Sequence, residues 1–336
     1  MAVHNRKIKA LTIEYLSAAA IAGAVFVISA YPFFRFITYA GKKKTAEKKA
    51  NKKKWFSLKH TMVNHPRHRF AEEYDKSKAW CEAQAMQDLY IRSKDGLRLH
   101  ASFLPAPDAK RIVLLSHGYR GTRFGSIAHM TPFMHENGCS ILFIDQRCCG
   151  ESEGEYITFG AKEQYDILLW IKEPEKINKD RLPLYLYGQS MGAAAVILAA
   201  GHALPHEVRG IIADSGFHSM KQQLKDIASG WFHIPWIGLL ILRMELFCRI
   251  FAGFSMKQTD TTQALKDNKL PILFFHGEDD TYVWPDNSRM NYSLCRAPKE
   301  LVLIPGARHL CSSFAEPEIY KKKLLEFFEK YDVPQA

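Results

Sequence analysis

The stretch LYLYGQSMGAAAVILAAG, Leu184–Gly201, contains the sharpest change of pattern in the chain. It begins as an apolar run of strand length, breaks at Gly-Gln-Ser-Met-Gly, and resumes at once as an alanine-rich segment that strongly favours helix. Two glycines allow the backbone to turn tightly between the two segments. The pattern therefore predicts a strand, a sharp turn and a helix, with the Ser190 hydroxyl at the turn.

The same alternation of strand-like and helix-like segments runs from about residue 86 onward. Continuous apolar runs of strand length are typical of parallel strands that are buried on both faces. Six such runs follow one another: RIVLLSHG, CSILFIDQR, LPLYLYG, VRGIIADSG, LPILFFHG and KELVLIPG. Before them, MQDLYIRS and LRLHASFLP flank a turn signal at residues 94–96 and predict an antiparallel hairpin. This order predicts an α/β fold with a mostly parallel central sheet flanked by helices.

One interval interrupts the alternation. Residues 216–270 contain no good strand pattern and are too long for a plain connection. We interpret this interval as a helical cap inserted into a domain that spans residues 61–336. Its aromatic and aliphatic side chains would line a substrate pocket, rest on a membrane, or simply pack on the sheet.

The positive charge of the chain is concentrated at its N-terminal end. Residues 1–60 contain thirteen Lys and Arg but only two Glu, so their surplus equals the formal net charge of +11 for the whole chain. The rest of the chain balances to zero. A neutral domain argues against a basic groove for nucleic acid, so no nucleic-acid partner is expected.

Residues 1–60 are predicted to form a membrane anchor and a basic linker. Leu16–Phe34 is a run of nineteen uncharged residues, about the length that crosses a bilayer core as a helix. Tyr31, Phe33 and Phe34 would suit an interfacial aromatic belt at one end of that helix. The alternative is a cleaved signal peptide, but the apolar run is long for one and no convincing cleavage site follows it.

The residues around the predicted anchor indicate its orientation. Eight lysines between positions 42 and 54 follow the apolar run and would bind anionic lipid head groups. Because positive residues concentrate on the cytoplasmic side, we expect a single-pass membrane protein whose C-terminal domain faces the cytoplasm. Seven cysteines, an odd number that includes the adjacent Cys148 and Cys149, are not typical of an extracellular disulfide framework.

The strand–turn–helix around Ser190 is the setting that a nucleophile elbow requires. A strained turn would lift the hydroxyl above the sheet edge, and the helix N-terminus would place partial positive charge where an oxyanion develops. A lone G-x-S-x-G motif is weak evidence, because a serine nucleophile also needs a base and an orienting acid. His309, in a loop after the last predicted strand, stands where the base is expected in chain order.

Several carboxylates compete for the role of the orienting acid. Glu278, Asp279 and Asp280 are adjacent after the strand LPILFFHG, and Asp214 ends the preceding strand. We favour Asp280, with Asp279 and Asp214 as the alternatives.

Four motifs in this order resemble those of the alpha/beta-hydrolase superfamily. They are SHGYRG at residues 116–121, DQRCCGESEG at 145–154, GQSMG at 188–192, and HGEDDTYV followed by GARHL. The chain looks most like the membrane-anchored bacterial members of serine aminopeptidase and esterase type. The resemblance covers roughly residues 89–331.

The resemblance implies a function for particular residues. Ser190 would be the nucleophile, His309 the general base, and Asp280 the group that holds the imidazole. The backbone N–H groups of Met191 and Tyr119 would form the oxyanion hole. His117 would shape the loop rather than take part in the chemistry.

One departure from the family pattern concerns a loop and leaves the triad intact. Cys148-Cys149-Gly150 stands where the family often has Gly-His-Gly. The two thiols are expected to pack in the interior, with sensitivity to oxidation as the alternative.

We therefore expect a serine hydrolase that cleaves carboxylic esters or thioesters, with a small, uncharged or apolar acyl substrate. No metal-ligand spacing, phosphate-binding loop or dinucleotide fingerprint is present, so no cofactor and no metal are implied. A serine peptidase acting on short peptides is the first alternative and would need a charged anchor, for which Arg243, Glu245 and Arg249 are the candidates. The second alternative is a non-catalytic membrane-bound module on the same scaffold.

Overall fold

A sheet of eight strands organises the domain. The structure, a computed structural model, describes residue 23 and residues 25–41, 66–173, 177–233 and 237–333. Within them the strands pair in the order β1-β2-β4-β3-β5-β6-β7-β8. The strands are β1 Gln87–Arg92, β2 Arg98–Leu104, β3 Arg111–Ser116, β4 Cys139–Asp145, β5 Leu184–Gln189, β6 Val208–Asp214, β7 Ile272–Gly277 and β8 Lys299–Ile304.

The pairing follows the pattern of the sequence. β1 and β2 form an antiparallel hairpin, β2 pairs antiparallel with β4, and every other pair is parallel. Gly96 takes φ +84° in the hairpin turn, a conformation that glycine adopts without strain. β3, β4, β5 and β7 are buried along their whole length, as continuous apolar runs require.

Helices cover both faces of the sheet. Alternate residues of β3 point to opposite faces, so Ile112 and Leu114 join one core while Val113 and Leu115 join the other. The helices, in chain order, are α1 Tyr31–Thr38, α2 Pro66–Arg69, α3 Ala71–Glu82, α4 Thr131–Glu136, α5 Glu163–Trp170, α6 Met191–Ala200, α7 Met220–Phe232, α8 Ile237–Phe247, α9 Thr262–Asp267, α10 Asp286–Leu294, α11 Ser312–Ala315 and α12 Pro317–Tyr331. α5, α6, α9 and α10 pack on the first face, and α3, α4 and α12 pack on the second.

The interval 216–270 divides into two parts with different environments. The first part contributes to an apolar cluster that also contains Met191, next to the carboxyl end of β5. This part consists of α7, α8, a π-helical turn at Cys248–Ala252 and a 3-10 turn at Met256–Thr259. The last helix of the interval, α9, instead buries Leu265 in the main core. The cap therefore consists of residues up to the 3-10 turn, while α9 belongs to the layer that covers the sheet.

The N-terminal helix α1 packs on the cap. The Phe34 ring is fully buried, with ring centroids 5.8 Å from Phe247 and 6.0 Å from Phe251. The residues after α1 are also bonded to the loop that follows β4, since Ala40 N–H donates to Glu155 O at 2.8 Å. The expectation that Phe34 lies in an interfacial aromatic belt is therefore wrong, because burial against the rings of the cap removes its apolar surface from any interface.

The predicted anchor is described only in part. Within the described part of the chain, no helix has both the length and the apolar character needed to cross a bilayer. Residues 16–22 and 24 of the predicted span lie outside the described residues, as do the lysines between positions 42 and 54.

Candidate active site

Ser190 occupies a strained turn between β5 and α6. Its backbone has φ 53° and ψ −116°, a region that residues with a side chain adopt rarely and at a cost in free energy. Close packing explains both glycines of the motif. A Cβ at Gly188 would overlap the carbonyl of Gly192, and a Cβ at Gly192 would overlap the carbonyl of Ser116. The motif therefore brings strand and helix together at the point where the hydroxyl emerges.

A chain of hydrogen bonds joins three predicted residues. Nε2 of His309 lies 3.1 Å from Oγ of Ser190, and Nδ1 of His309 lies 2.6 Å from Oδ2 of Asp280. All three side chains are buried. With Nδ1–H donating to the carboxylate, Nε2 is left to accept the proton of the serine hydroxyl. The structure thus brings Ser190, His309 and Asp280 together in the arrangement that the sequence predicts.

The carboxylate of Asp280 is held in its charged form. Its Oδ1 accepts hydrogen bonds from the backbone N–H groups of Tyr282 and Val283 at 2.8 and 2.9 Å. Burial alone would raise the pKa of Asp280, but His309 and His276 hold that pKa well below its usual range. The negative charge is therefore present at neutral pH and can stabilise an imidazolium at His309.

His276 is a site residue that the sequence reasoning missed. It is the second-to-last residue of β7, and its Nε2 lies 3.2 Å from Oδ2 of Asp280 and 2.8 Å from Val283 O. On the other side of the ring, Nδ1 lies 2.6 Å from Oγ of Ser288. A histidine four residues before the acid was the available signal, but the chain has fourteen histidines, and position alone did not distinguish this one.

The two alternative acids have other environments. Asp214 is fully buried and accepts hydrogen bonds from Oγ of Ser215, Nε2 of Gln189 and Oη of Tyr320, at 2.8 to 3.1 Å. Burial raises its pKa. Asp279 is exposed. Neither carboxylate is hydrogen-bonded to His309 in the way that Asp280 is.

The loop after β3 lies against the serine. A Cβ at Gly118 would lie 3.3 Å from Cβ of Ser190, so glycine lets this loop approach closely. His117 fixes the loop, because its Nδ1–H donates to Gly118 O at 2.8 Å while its Nε2 accepts from the N–H of Gln146 at 3.2 Å. Tyr119 follows Gly118 in this loop, and Met191 begins α6. Their backbone N–H groups remain the predicted oxyanion donors.

The N-terminal segment is bonded to this same loop, which the sequence did not predict. Oη of Tyr119 donates to Ile37 O at 2.7 Å. The Arg120 guanidinium donates to Phe36 O at 2.9 Å and to Tyr39 O at 3.0 Å. Arg120 itself has φ 51°, so its backbone is held in the left-handed region. Residues before the domain thus support the loop that lies against Ser190.

The DQRCCGESEG segment builds a buried ionic cluster. Oδ2 of Asp145 lies 2.8 Å from Nδ1 of His100 and 2.7 Å from Nη1 of Arg123. A Cβ at Gly150 would overlap the carboxylate, which accounts for glycine there. Cys148 and Cys149 are buried, and none of the seven cysteines is in a disulfide. The segment therefore supports the loop structure, in agreement with the prediction that its departure from the family pattern leaves the triad intact.

Comparison with known proteins agrees with this architecture. The family described as serine aminopeptidase, S33, matches residues 107–246, which include Ser190 but not Asp280 or His309. The uncharacterized protein YqkD of Bacillus subtilis is 24% identical over 71% of this chain and 78% of its own length. The alpha/beta hydrolase domain-containing protein WAV2 of Arabidopsis thaliana is 26% identical over 73% and 79%.

Solved structures share the fold. An esterase of Pyrococcus furiosus matches with a TM-score of 0.60 at 22% identity, covering 75% of this chain and 93% of its own. Est1E of Butyrivibrio proteoclasticus, solved with ferulic acid, matches with a TM-score of 0.56 at 21% identity, covering 72% and 98%. The chain has the alpha/beta-hydrolase fold. The predicted mostly parallel sheet with flanking helices is thus confirmed, and Ser190, Asp280 and His309 follow β5, β7 and β8 respectively.

Proposed function

We propose that this protein is a serine hydrolase that cleaves carboxylic esters or thioesters through an acyl-enzyme on Ser190. The observation that carries the proposal is the hydrogen-bonded chain from Ser190 through His309 to Asp280. A serine on a strained turn at a helix N-terminus, paired with a histidine that is paired with a charged carboxylate, is the machinery of nucleophilic acyl transfer.

Each residue would have one task in the reaction. Nε2 of His309 takes the proton of Oγ as Ser190 attacks the substrate carbonyl, and the charged carboxylate of Asp280 stabilises the imidazolium. The N–H groups of Tyr119 and Met191 donate to the oxyanion of the tetrahedral intermediate. His309 then returns the proton to the leaving alcohol or thiol, and the acyl-enzyme remains. A water deprotonated by His309 releases the acid and restores the serine.

The surroundings of the site favour an apolar acyl group. The side chain of Met191, next to the nucleophile, lies in a cluster with Phe159, Phe217, Met244 and Phe247. Since these side chains offer no hydrogen bonds to a polar group, they favour a hydrocarbon portion of the substrate over a charged one.

A peptidase is the second candidate, and the description of the matched family as serine aminopeptidase supports it. The charged side chains that would anchor a peptide terminus are, however, bonded within the protein. The Arg243 guanidinium donates to Phe26 O at 2.6 Å, and Nε of Arg249 donates to Oε1 of Glu245 at 2.6 Å. These contacts favour esters over peptides.

The catalytic assignment is tested by labelling the purified full-length chain with a fluorophosphonate, which reacts with activated serines. We expect labelling of the wild type and of Ser293→Ala, an exposed serine of α10, but none of Ser190→Ala. Equal labelling of Ser190→Ala would overturn the assignment. Absence of labelling in all three folded proteins would instead favour the non-catalytic module.

The substrate class is tested by rates on matched chromogenic substrates. We expect p-nitrophenyl butyrate and octanoate to be hydrolysed with kcat/KM at least roughly 10²-fold above that of aminoacyl p-nitroanilides, with both activities lost in Ser190→Ala. A preference for the p-nitroanilides would replace the esterase proposal by the peptidase.

A further inference from the structure

We propose that α1, the residues just before it and α8 together form one apolar face that docks on the surface of an anionic lipid bilayer. This proposal does not depend on the reaction proposed above, because it rests on side chains outside the triad. We call this surface the docking face; its exposed side chains are Val25, Ile28, Phe33, Phe36, Leu239, Leu242, Leu246 and Ile250.

The first half of the docking face is a stripe along α8 and the π-helical turn that follows. Leu242 is 65% exposed and Ile250 is 62% exposed. The stripe consists of Leu239, Leu242, Leu246 and Ile250, spaced by three or four residues as one side of a helix requires. Ile241, Met244 and Phe247 occupy the other side and are buried. A surface helix normally carries polar side chains outward, so an apolar outer stripe points to a partner.

The second half of the docking face comes from the N-terminal segment. Phe33 and Phe36 are about half exposed on α1, although the neighbouring Phe34 is completely buried. Val25 and Ile28, just before α1, are exposed as well. The segment thus presents apolar side chains both to the cap and to the outside.

The two halves adjoin. The Tyr31 ring centroid lies 5.4 Å from that of Phe247 and 5.5 Å from that of Phe251. The Arg243 guanidinium lies 4.1 Å from the centroid of the Phe26 ring and donates to Oγ of Ser29 at 2.8 Å. Ten of the fourteen exposed large hydrophobic side chains in the described residues lie on these two segments, so the apolar exposure is concentrated rather than scattered.

The sequence on either side of this segment identifies the occupant. Residues 16–24 lead into the docking face without a charge, and eight lysines follow between positions 42 and 54. Apolar side chains beside a lysine-rich segment match the acyl region and the anionic head groups of a bilayer. A second copy of the chain carries the same surplus of positive charge in residues 1–60, so charge opposes self-association and favours an anionic surface. The charge pattern therefore favours lipid over self-association.

The docking face is joined directly to the candidate active site. Oη of Tyr119, in the loop against Ser190, donates to the carbonyl of Ile37 in α1. Docking would therefore hold the catalytic loop next to the lipid.

The experiment places a polarity-sensitive fluorophore on single introduced cysteines, Leu242→Cys and Ile250→Cys, in the full-length chain. Both positions are exposed, so folding should be preserved, and the seven native cysteines are buried. Val333→Cys is the control, since Val333 is 68% exposed and follows Asp332, which pairs with Arg111 at the opposite end of the parallel strands. The proteins are reconstituted into vesicles of phosphatidylglycerol and phosphatidylcholine with brominated acyl chains.

We expect the labels at 242 and 250 to shift to the blue and to lose at least half of their emission to the brominated lipid, while the label at 333 does not change. In vesicles of phosphatidylcholine alone the quenching should be several-fold weaker. Unquenched labels at both 242 and 250 would overturn the proposal, as would a spectral shift that depends on protein concentration without lipid, which would indicate a second copy. Equal quenching in neutral vesicles would overturn the role of the lysines.

Discussion

His309 and His100 are both buried, and each binds a buried aspartate through Nδ1, at 2.6 Å to Asp280 and at 2.8 Å to Asp145. They differ in what the second ring nitrogen faces. Nε2 of His309 lies 3.1 Å from the hydroxyl of the elbow serine, whereas Nε2 of His100 lies 3.0 Å from a second carboxylate, that of Asp88. The same aspartate–histidine pair therefore occurs twice in one domain, in two different settings.

The second partner determines what each pair can do. Burial would lower the pKa of His100, but hydrogen bonds from its ring to Asp145 and Asp88 raise it overall. A ring between two carboxylates is favoured in its protonated form, and His100 joins β1, β2 and β4. His309 faces only one carboxylate in this way and has a hydroxyl on the other side, so it can accept a proton and return it. The difference teaches that the chemistry open to an aspartate–histidine pair depends on the group that the second ring nitrogen faces.

The largest expected effect separates the two histidines by activity. His309→Gln should lower kcat/KM for p-nitrophenyl butyrate by roughly 10⁵-fold or more, because the serine loses its base. His100→Gln should leave the rate per folded molecule within about threefold. Rates are measured on protein whose folding is verified by circular dichroism. A comparable loss of rate in both variants would show that His309 and His100 do not differ in their importance for the reaction.

The next effect separates Asp280 from Asp279, one of the two alternative acids. Asp280→Asn should lower kcat by roughly 10⁴-fold, since the imidazole would lose its charged partner and its correct tautomer. Asp279→Asn, at an exposed position next in sequence, should stay within about twofold of the wild type. The same ester assay decides between them. A strong loss of kcat in Asp279→Asn with little change of kcat in Asp280→Asn would refute the assignment of Asp280 as the acid.

A smaller effect concerns the stability that the His100 cluster contributes and its dependence on pH. The pKa of His100 is raised in the folded protein above the unfolded value of about 6.5, so its contribution is complete below that value and is lost as pH rises through the folded value. Asp88 and Asp145 have lowered pKa values, so their contribution is present above about pH 4 and is lost in acid.

His100→Gln should therefore lower the free energy of unfolding by roughly 1–3 kcal/mol near pH 5–6, and by less as the pH rises beyond 7. Urea denaturation at a series of pH values measures this difference. Asp88→Asn should remove part of the same dependence. A difference between wild type and His100→Gln that is constant with pH would contradict the charged state assigned to this histidine.

The smallest expected effect concerns the support of the loop that lies against Ser190. Arg120→Ala should lower kcat by roughly 3–10-fold with little change in KM, because the loop against Ser190 loses its bonds to the carbonyls of residues 36 and 39. Arg181→Ala is the matched control, since Arg181 also has a positive φ, 53°, but an exposed side chain. Equal kinetics of the two variants would remove the role proposed for the N-terminal contact.

Much of the fold and of the site was predictable because the signals are local. The apolar runs lie on the observed strands, since a strand buried on both faces must be apolar at every position. The order of Ser190, Asp280 and His309 along the chain was sufficient to predict that they meet, because parallel strands bring their following loops to one edge of the sheet. The choice of Asp280 over Asp214 and Asp279 was also made from the motif, and the geometry agrees with it.

The remaining features could not be predicted because they depend on contacts between distant residues. Arg120 bonds a carbonyl 84 positions earlier in the chain, and no local pattern marks such a pair. Phe34 lies in an apolar run that predicts lipid contact, yet its ring is enclosed by the cap. Likewise the sequence pattern of α8 shows that it is apolar but not which side is left uncovered.

The amino-acid sequence by itself determined the strands, the elbow at Ser190 and the order of the triad, since each follows from the pattern of a few adjacent residues. Only the tertiary structure decided which of two buried aspartate–histidine pairs faces a hydroxyl and which faces a second acid. It also decided that the N-terminal helix is bonded to the loop that lies against Ser190. The physical reason is that the protonation and the task of a buried side chain depend on neighbours that the fold brings from elsewhere in the chain.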